Sequence, residues 1–130
     1  MSAITFDYDS IYYPAAPVIE IEVDGYDDNL GRRTLRAMVD SGADASMIPL
    51  SILEAIGATY KESTWMRGTA GGRIEVDLYL VAIQIGTELV YGLHVVSSSS
   101  TKEAVVGRDV LNQLIVTLNG PAGVTEVHVD

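Results

Sequence analysis

Among the 130 residues, the stretch best equipped for chemistry is Ala37-Met38-Val39-Asp40-Ser41-Gly42-Ala43-Asp44. An apolar run that reads as a strand buried on both faces ends abruptly in an acid. A carboxylate at the end of a buried strand is costly unless donors surround it. Ser41 supplies a hydroxyl, and Gly42 lets a backbone approach closely. The combination suits a carboxyl group held at a fixed place in a protected cleft, where it can take up and return a proton. Asp-Ser-Gly is also ordinary turn chemistry after a strand, so the tripeptide by itself leaves both readings open.

Other chemistries are poorly provided for. The chain has no cysteine, which removes disulfides, thiolate metal sites and a cysteine nucleophile, and fits a reducing compartment. Its two histidines, His94 and His128, fall in or near strand patterns with no metal-ligand spacing around them. No metal and no cofactor is expected. Gly68, Gly71 and Gly72 cluster around Thr69 and Ala70, but no Gly-Lys-Ser/Thr follows and a strand comes next, so the cluster does not read as a phosphate cradle. The formal net charge of -10 argues against nucleic acid and anionic membrane surfaces as partners. No apolar run has the length of a membrane span. Met1 to Ser10 carries Asp7 and Asp9 and no basic residue, unlike a signal peptide. A soluble, cytoplasmic protein is expected.

The elements that must position Asp40 follow from pattern. Val18 to Asp24 alternates apolar and acidic residues, which predicts a half-buried strand. The turn formers of Gly25 to Arg33 connect it to a second strand, Thr34 to Val39, whose far end is Asp40. Leu50, Leu53 and Ile56 recur at helical spacing between Pro49, suited to a first helical position, and Gly57, suited to a stop. Thr64 to Leu80 reads as a hairpin with a glycine-rich tip at Gly68 to Gly72 and a long second strand. Val81 to Ile85 and Leu89 to Val96 form a further hairpin about Gly86-Thr87-Glu88. Ser97 to Thr101 reads as a solvated loop. Lys102 to Val106 reads as a buried strand, and Gly107 to Leu114 as a short helix with Asp109 as its cap. Two strands, Ile115 to Leu118 and Val124 to Val129, close the chain. Trp65 is expected at the base of the first hairpin or in the core. Many short strands with two short helices predict a mostly β fold, barrel or sandwich. The organisation expected is an N-terminal arm over residues 1–17, packed as an edge strand or loose, and one domain over residues 18–130.

Three segments in order resemble the retropepsins, the retroviral-type aspartic proteases, and their cellular and bacterial relatives. They are Val39-Asp40-Ser41-Gly42-Ala43-Asp44, the hairpin tip Gly68 to Gly72, and Val105-Val106-Gly107-Arg108-Asp109-Val110-Leu111. The resemblance spans roughly Val18 to Asn119. It implies a small closed β-barrel of the acid-protease type, with two short helices and a flap hairpin. It implies that Asp40 is the catalytic aspartate, Ser41 a hydroxyl bonded across the catalytic pair, and Gly42 a carbonyl that meets the substrate backbone. Asp44 matches an acid that contacts substrate and pairs with the helix arginine, here Arg108. Gly68, Thr69, Ala70, Gly71 and Gly72 match the flap tip over the substrate. Thr69, Ala70, Val39 and the loop Ser97 to Ala104 are candidate pocket walls. The Arg108–Asp44 pair is expected to be structural, a buried pair whose loss of one partner costs about 3–5 kcal/mol, enough to threaten folding. The helix at Leu50 to Ile56, absent from the most compact retroviral enzymes, and the strand beyond Asn119 depart from the pattern, so the dimer contact is expected to be built differently.

Aspartic protease chemistry needs two carboxyls sharing one proton, because two adjacent anions are not tolerated. One chain supplies one such aspartate. A homodimer about a two-fold axis, with a peptide or protein substrate, is therefore the expected working form. The alternative is a catalytically silent dimeric peptide-binding module with the same fold.

Overall fold

The computed structural model describes residues 2–68, 71–99 and 103–129. Thr69 and Ala70 of the glycine-rich tip, Ser100 and Thr101 of the expected serine-rich loop, and Lys102 at the start of the expected strand Lys102 to Val106 lie outside the described residues. The chain opens with β1 (Ser2–Asp7). In β2 (Val18–Asp24), alternation turns Ile19, Ile21 and Val23 inward and leaves Glu20 in solvent. β2 pairs antiparallel with β3 (Arg32–Val39), Val18 opposite Met38 and Asp24 opposite Arg32. β4 (Met47–Pro49) leads directly into α1 (Leu50–Ala55), with Pro49 as the N-cap rather than the first helical residue. Gly57, at φ 66°, takes the chain out of the helix, as its position suggests. β5 (Thr59–Arg67) and β6 (Arg73–Ile85) form the glycine-tipped hairpin, and β7 (Glu88–Ser98) returns along β6. Then come β8 (Ala104–Val106), α2 (Arg108–Leu111), β9 (Ile115–Asn119) and β10 (Val124–Val129).

The larger sheet runs β2-β3-β8-β4-β7-β6-β5, and β6 also pairs with β2 from Glu22–Gln84 to Asp24–Ala82. That second pairing closes six strands into a barrel and leaves β5 bonded only to β6. Ile19, Ile21, Val23, Ile48, Leu53, Ile56, Val81, Ile83, Ile85, Val95, Val106 and Val110 are fully buried and form one core. Complete burial of such side chains contributes about 1.5–3 kcal/mol each. The mostly β barrel with two short helices is therefore as the sequence predicts.

Two local expectations change, and a third, edge strand or loose arm, is decided for the edge strand. First, β6 is one unbroken strand where pattern suggests two. Its pairing with β7 slips between Val81 and Ile83, so the half-exposed alternation of its first part gives way to continuous burial in the barrel. Second, Ser97 and Ser98 belong to β7, and Ser98 is buried beside β4, opposite Pro49. Third, the first part of the N-terminal arm is a strand. β1 pairs along β10 from Ser2–Val129 to Asp7–Val124, giving a separate sheet β1-β10-β9 with β9 at its open edge. Past β1 the arm makes a bridge between Asp9 and Ala16, and an excursion between them leaves Ile11 and Tyr13 in solvent. Tyr12 is held by a hydrogen bond to Glu103. That bond, burial, and the negative charges of Glu103 and Asp9 push its hydroxyl above the ordinary tyrosine value.

Candidate active site

β3 and β8 lie parallel, with Val39 opposite Val106, so the loop after one strand and the turn after the other emerge side by side. Asp40 N donates to the Val106 carbonyl at 3.0 Å, and Ala43 N donates back to the Asp40 carbonyl at 3.2 Å. Together these bonds fix a tight loop at the end of β3. The Asp40 carboxylate accepts the Gly42 amide at 2.9 Å on Oδ1. A Cβ on Gly42 would stand 3.2 Å from that same oxygen, which is why a glycine suits the position. Ala37 is buried and Met38 and Val39 are half-buried, while Asp40, Ser41 and Gly42 are exposed. A single chain thus holds the carboxyl in place but does not enclose it, contrary to a strand buried on both faces.

The loop is fastened from behind by residues far away in sequence. Arg108 reaches the Ser41 carbonyl through Nη1 at 2.8 Å and pairs with the Asp44 carboxylate through Nη2. The pair is solvent-exposed, with the Asp44 side chain 75% accessible. The cost of breaking a buried pair does not apply, and in a single chain such a contact is worth about 0.2–1 kcal/mol. Arg108 N also donates to the Ala43 carbonyl at 2.9 Å.

Asp109 is not a helix cap. Gly107 occupies the cap position of α2 with no side-chain cap bond. The Asp109 carboxylate instead accepts both the Ser46 amide, at 3.0 Å, and the Ser46 hydroxyl, at 2.7 Å. Ser46 is fully buried, and its Oγ accepts the Gly107 amide at 3.0 Å. Gly107 itself is packed so closely that a Cβ would lie 2.8 Å from the Ala43 carbonyl oxygen and 2.9 Å from the Ala45 carbonyl. Sequence reasoning gave Ser46 no role and Gly107 only a place in a motif. Gly-Arg-Asp was the one available signal, since nothing in a linear pattern joins Ser46 to Asp109.

The loop forms the floor of an open cleft of about 1070 Å³, and the β5–β6 hairpin is its other wall. Asp40, Gly42 and Asp44 line the floor; Gly68 and Gly72 line the hairpin end, with Trp65, Met66, Arg67, Arg73 and Ile74. Val96 and Met47 close the back. Gly68 N donates to the Gly72 carbonyl at 2.6 Å, and Gly71 adopts φ 86°. Val39 and Ser41 are not among the lining residues. Trp65 is not core: the residue is 57% accessible, and its ring carries the Arg73 guanidinium 5.5 Å from its centroid. Among the described residues no cluster of three or more His, Cys, Asp or Glu side chains is placed to hold a metal, and no helix is long and apolar enough to cross a membrane.

Residues 29–113 match the protein family described as gag-polyprotein putative aspartyl protease, which covers the loop at Asp40, the hairpin and α2. The chain belongs to the retropepsin-like aspartic protease family. The fold of this family member agrees with that of a retropepsin-like aspartic protease from Rickettsia conorii at a TM-score of 0.65 and 12% identity, over 97% of this chain and 90% of the other. It also agrees with an EIAV protease solved with an inhibitor, at a TM-score of 0.56 and 18% identity, over 75% of this chain and 86% of the other. Comparison with curated protein sequences gives no match.

Proposed function

We propose that the chain is an aspartic endopeptidase that works as a homodimer, with Asp40 of each copy supplying half of the catalytic carboxyl pair. The observation that carries the reading is the state of the acids in the cleft. Asp40 stands exposed on the floor, Asp44 is engaged by Arg108, and Asp109 is engaged by Ser46 behind the loop. Among the described residues no second carboxyl in the cleft is left to share a proton with Asp40, so a second copy is needed to bring it. In such a pair the ionised member takes a proton from water while the protonated member polarises the scissile carbonyl. The pair titrates as one unit, and the rate falls when alkali removes the shared proton.

The remaining site residues take roles consistent with this chemistry. Ser41 bonds across the pair, Gly42 offers its carbonyl to the substrate backbone, and Asp44 contacts the substrate beside Arg108. The β5–β6 hairpin acts as the flap, with Gly68, Thr69, Ala70, Gly71 and Gly72 at a tip that bends over an extended peptide. The open edge of β9 supports a role in dimerisation. It has unpaired backbone groups on one side, and Ile115 and Leu118 are 60% and 52% accessible.

Asp40→Asn should abolish cleavage of a mixed peptide library while leaving the oligomeric state in sedimentation unchanged. Random mixing of equal wild-type and Asp40→Asn chains should lower activity to about a quarter of that of an all-wild-type sample of the same total concentration, because each site needs two intact copies. Cleavage by the variant would refute the assignment of Asp40, and half activity in the mixture would refute the shared site. Peptide binding by wild type without any turnover would favour a silent binding module.

A further inference from the structure

We infer that Arg67 and Arg73, on the hairpin above the cleft, select peptides bearing a carboxylate side chain. The inference rests on the protease reading for where the peptide lies. Arg67 and Arg73 are directly opposite each other in the β5–β6 register, the last pair before the glycine-rich tip. Directly opposed residues of an antiparallel pair have Cβ atoms about 4.5–5.5 Å apart, and like charges placed so are destabilising. Both residues line the cleft.

Among the described residues neither guanidinium is neutralised by a carboxylate. Arg32 pairs with Glu22 and Asp24, Arg36 with Asp9, and Arg108 with Asp44. Among the described residues no carboxylate makes an ion pair with Arg67 or Arg73. The chain has 18 acids against 8 basic residues, so two facing arginines without an acid are not a consequence of composition. An anion between them would remove their mutual repulsion and accept several N–H donors in one plane.

Trp65 fixes part of the geometry. It lies two residues before Arg67 on β5, on the same side of the hairpin, and the Arg73 guanidinium sits over its ring. Arg73 is thereby held toward the hairpin's long axis, with its outer N–H groups left to bind. The floor below carries Asp40, whose carboxylate repels an acid placed low in the cleft, beside Asp44, which is already paired with Arg108. An Asp or Glu side chain of an extended peptide is therefore accepted where it reaches past the hairpin's edge to the face that carries Trp65, Arg67 and Arg73, opposite to the face of Met66 and Ile74.

The test uses Asp40→Asn, which retains the cleft, and decapeptide sets that differ at one position only, Glu, Gln or Lys, scanned along the peptide. Trp65 is the only tryptophan in the chain, so its emission reports events at Arg73 directly. At one or more positions the Glu peptide should bind about five- to tenfold more tightly than its Gln counterpart, from two partly exposed ion pairs. The advantage should shrink as salt is raised, and should vanish in the Arg67→Gln/Arg73→Gln double variant. Both arginines are exposed, so that variant keeps its fold. Equal affinities for Glu and Gln, a preference for Lys, no saturable binding of any peptide, or a Glu preference that survives the double variant would each overturn the inference. Cleavage by wild type is scored separately. Turnover without a Glu preference in binding defeats the arginine assignment alone, and Glu-selective binding without turnover defeats the catalytic reading alone.

Discussion

The floor and the wall of the cleft are built on opposite lines. The floor loop, residues 40–46, is tied to α2 by bonds that span 63 to 67 positions of sequence, from Asp109 to Ser46 and from Arg108 to Ser41 and Asp44. The tip half of the β5–β6 hairpin, Ser63–Arg67 with Arg73–Asp77, pairs with no other strand among the described residues, whereas the barrel end of β6 is bonded to β7 and β2. In and beside that half the side-chain contacts, Tyr60 to Ser63, Ser63 to Asp77, Tyr60 against Tyr79 and Arg73 over Trp65, stay within the two strands. One wall holds a carboxyl at a fixed point, while the other is free to adjust to whatever enters. Local stability is unequal by design in such a site, since elements that admit a ligand come from the loosely held part of a fold. The comparison makes a ranking. Substitutions behind the floor should cost stability and function together, and those on the hairpin should cost function with little stability.

The largest stability effect is expected for Asp109→Ala. It strips the acceptor from the amide and hydroxyl of fully buried Ser46, and leaving buried donors unmade costs about 1–3 kcal/mol each. A loss of about 3 kcal/mol in urea unfolding is expected, with Asp109→Asn losing less because its amide oxygen still accepts one bond. A loss below about 0.5 kcal/mol would mean that the loop is not held from behind, and the contrast would collapse.

Gly107→Ala ranks next. The added methyl meets the Ala43 and Ala45 carbonyls under 3.0 Å, and backbone atoms cannot swing aside as a side-chain tip can. Overpacking of this kind costs about 1–3 kcal/mol, and relief of the clash must displace the loop that carries Asp40. Peptide cleavage should therefore fall more than unfolding stability does. Equal stability and activity to wild type would show that the close contact tolerates a shift.

How much of this could be read from the sequence differs between the same two regions. β2 and β3 declare themselves through alternation and an apolar run, because one face of each lies in a single core. β4 escapes notice because three residues carry no period, and its partners, β7 and β8, are distant. The first half of β5 is exposed on both faces, so no burial pattern marks it. At the site, Asp40-Ser41-Gly42 is legible because the chemistry is contiguous. The Ser46–Asp109 link is not, because a bond across 63 residues leaves no local trace, and an acid at a helix start has a simpler explanation in capping. The burial of an ion pair is equally invisible in sequence, and the exposed Arg108–Asp44 contact corrected its expected worth.

The hairpin offers the smallest expected change in stability and the sharpest test of the contrast. Ile74 lines the cleft, lies opposite Met66 and is 53% accessible. Truncation to alanine removes side-chain surface that is only half out of water, so Ile74→Ala should cost less than about 1 kcal/mol in unfolding. On an extended peptide the same side chain supplies apolar contact made only when substrate is present. KM for a cleaved peptide should then rise severalfold while kcat changes less, the pattern of lost binding that ground state and transition state share. A drop in stability matching that of Gly107→Ala would mean that the hairpin is braced like the floor. An unchanged KM would mean that this side of the hairpin does not touch the peptide, and the wall would then act only through its tip.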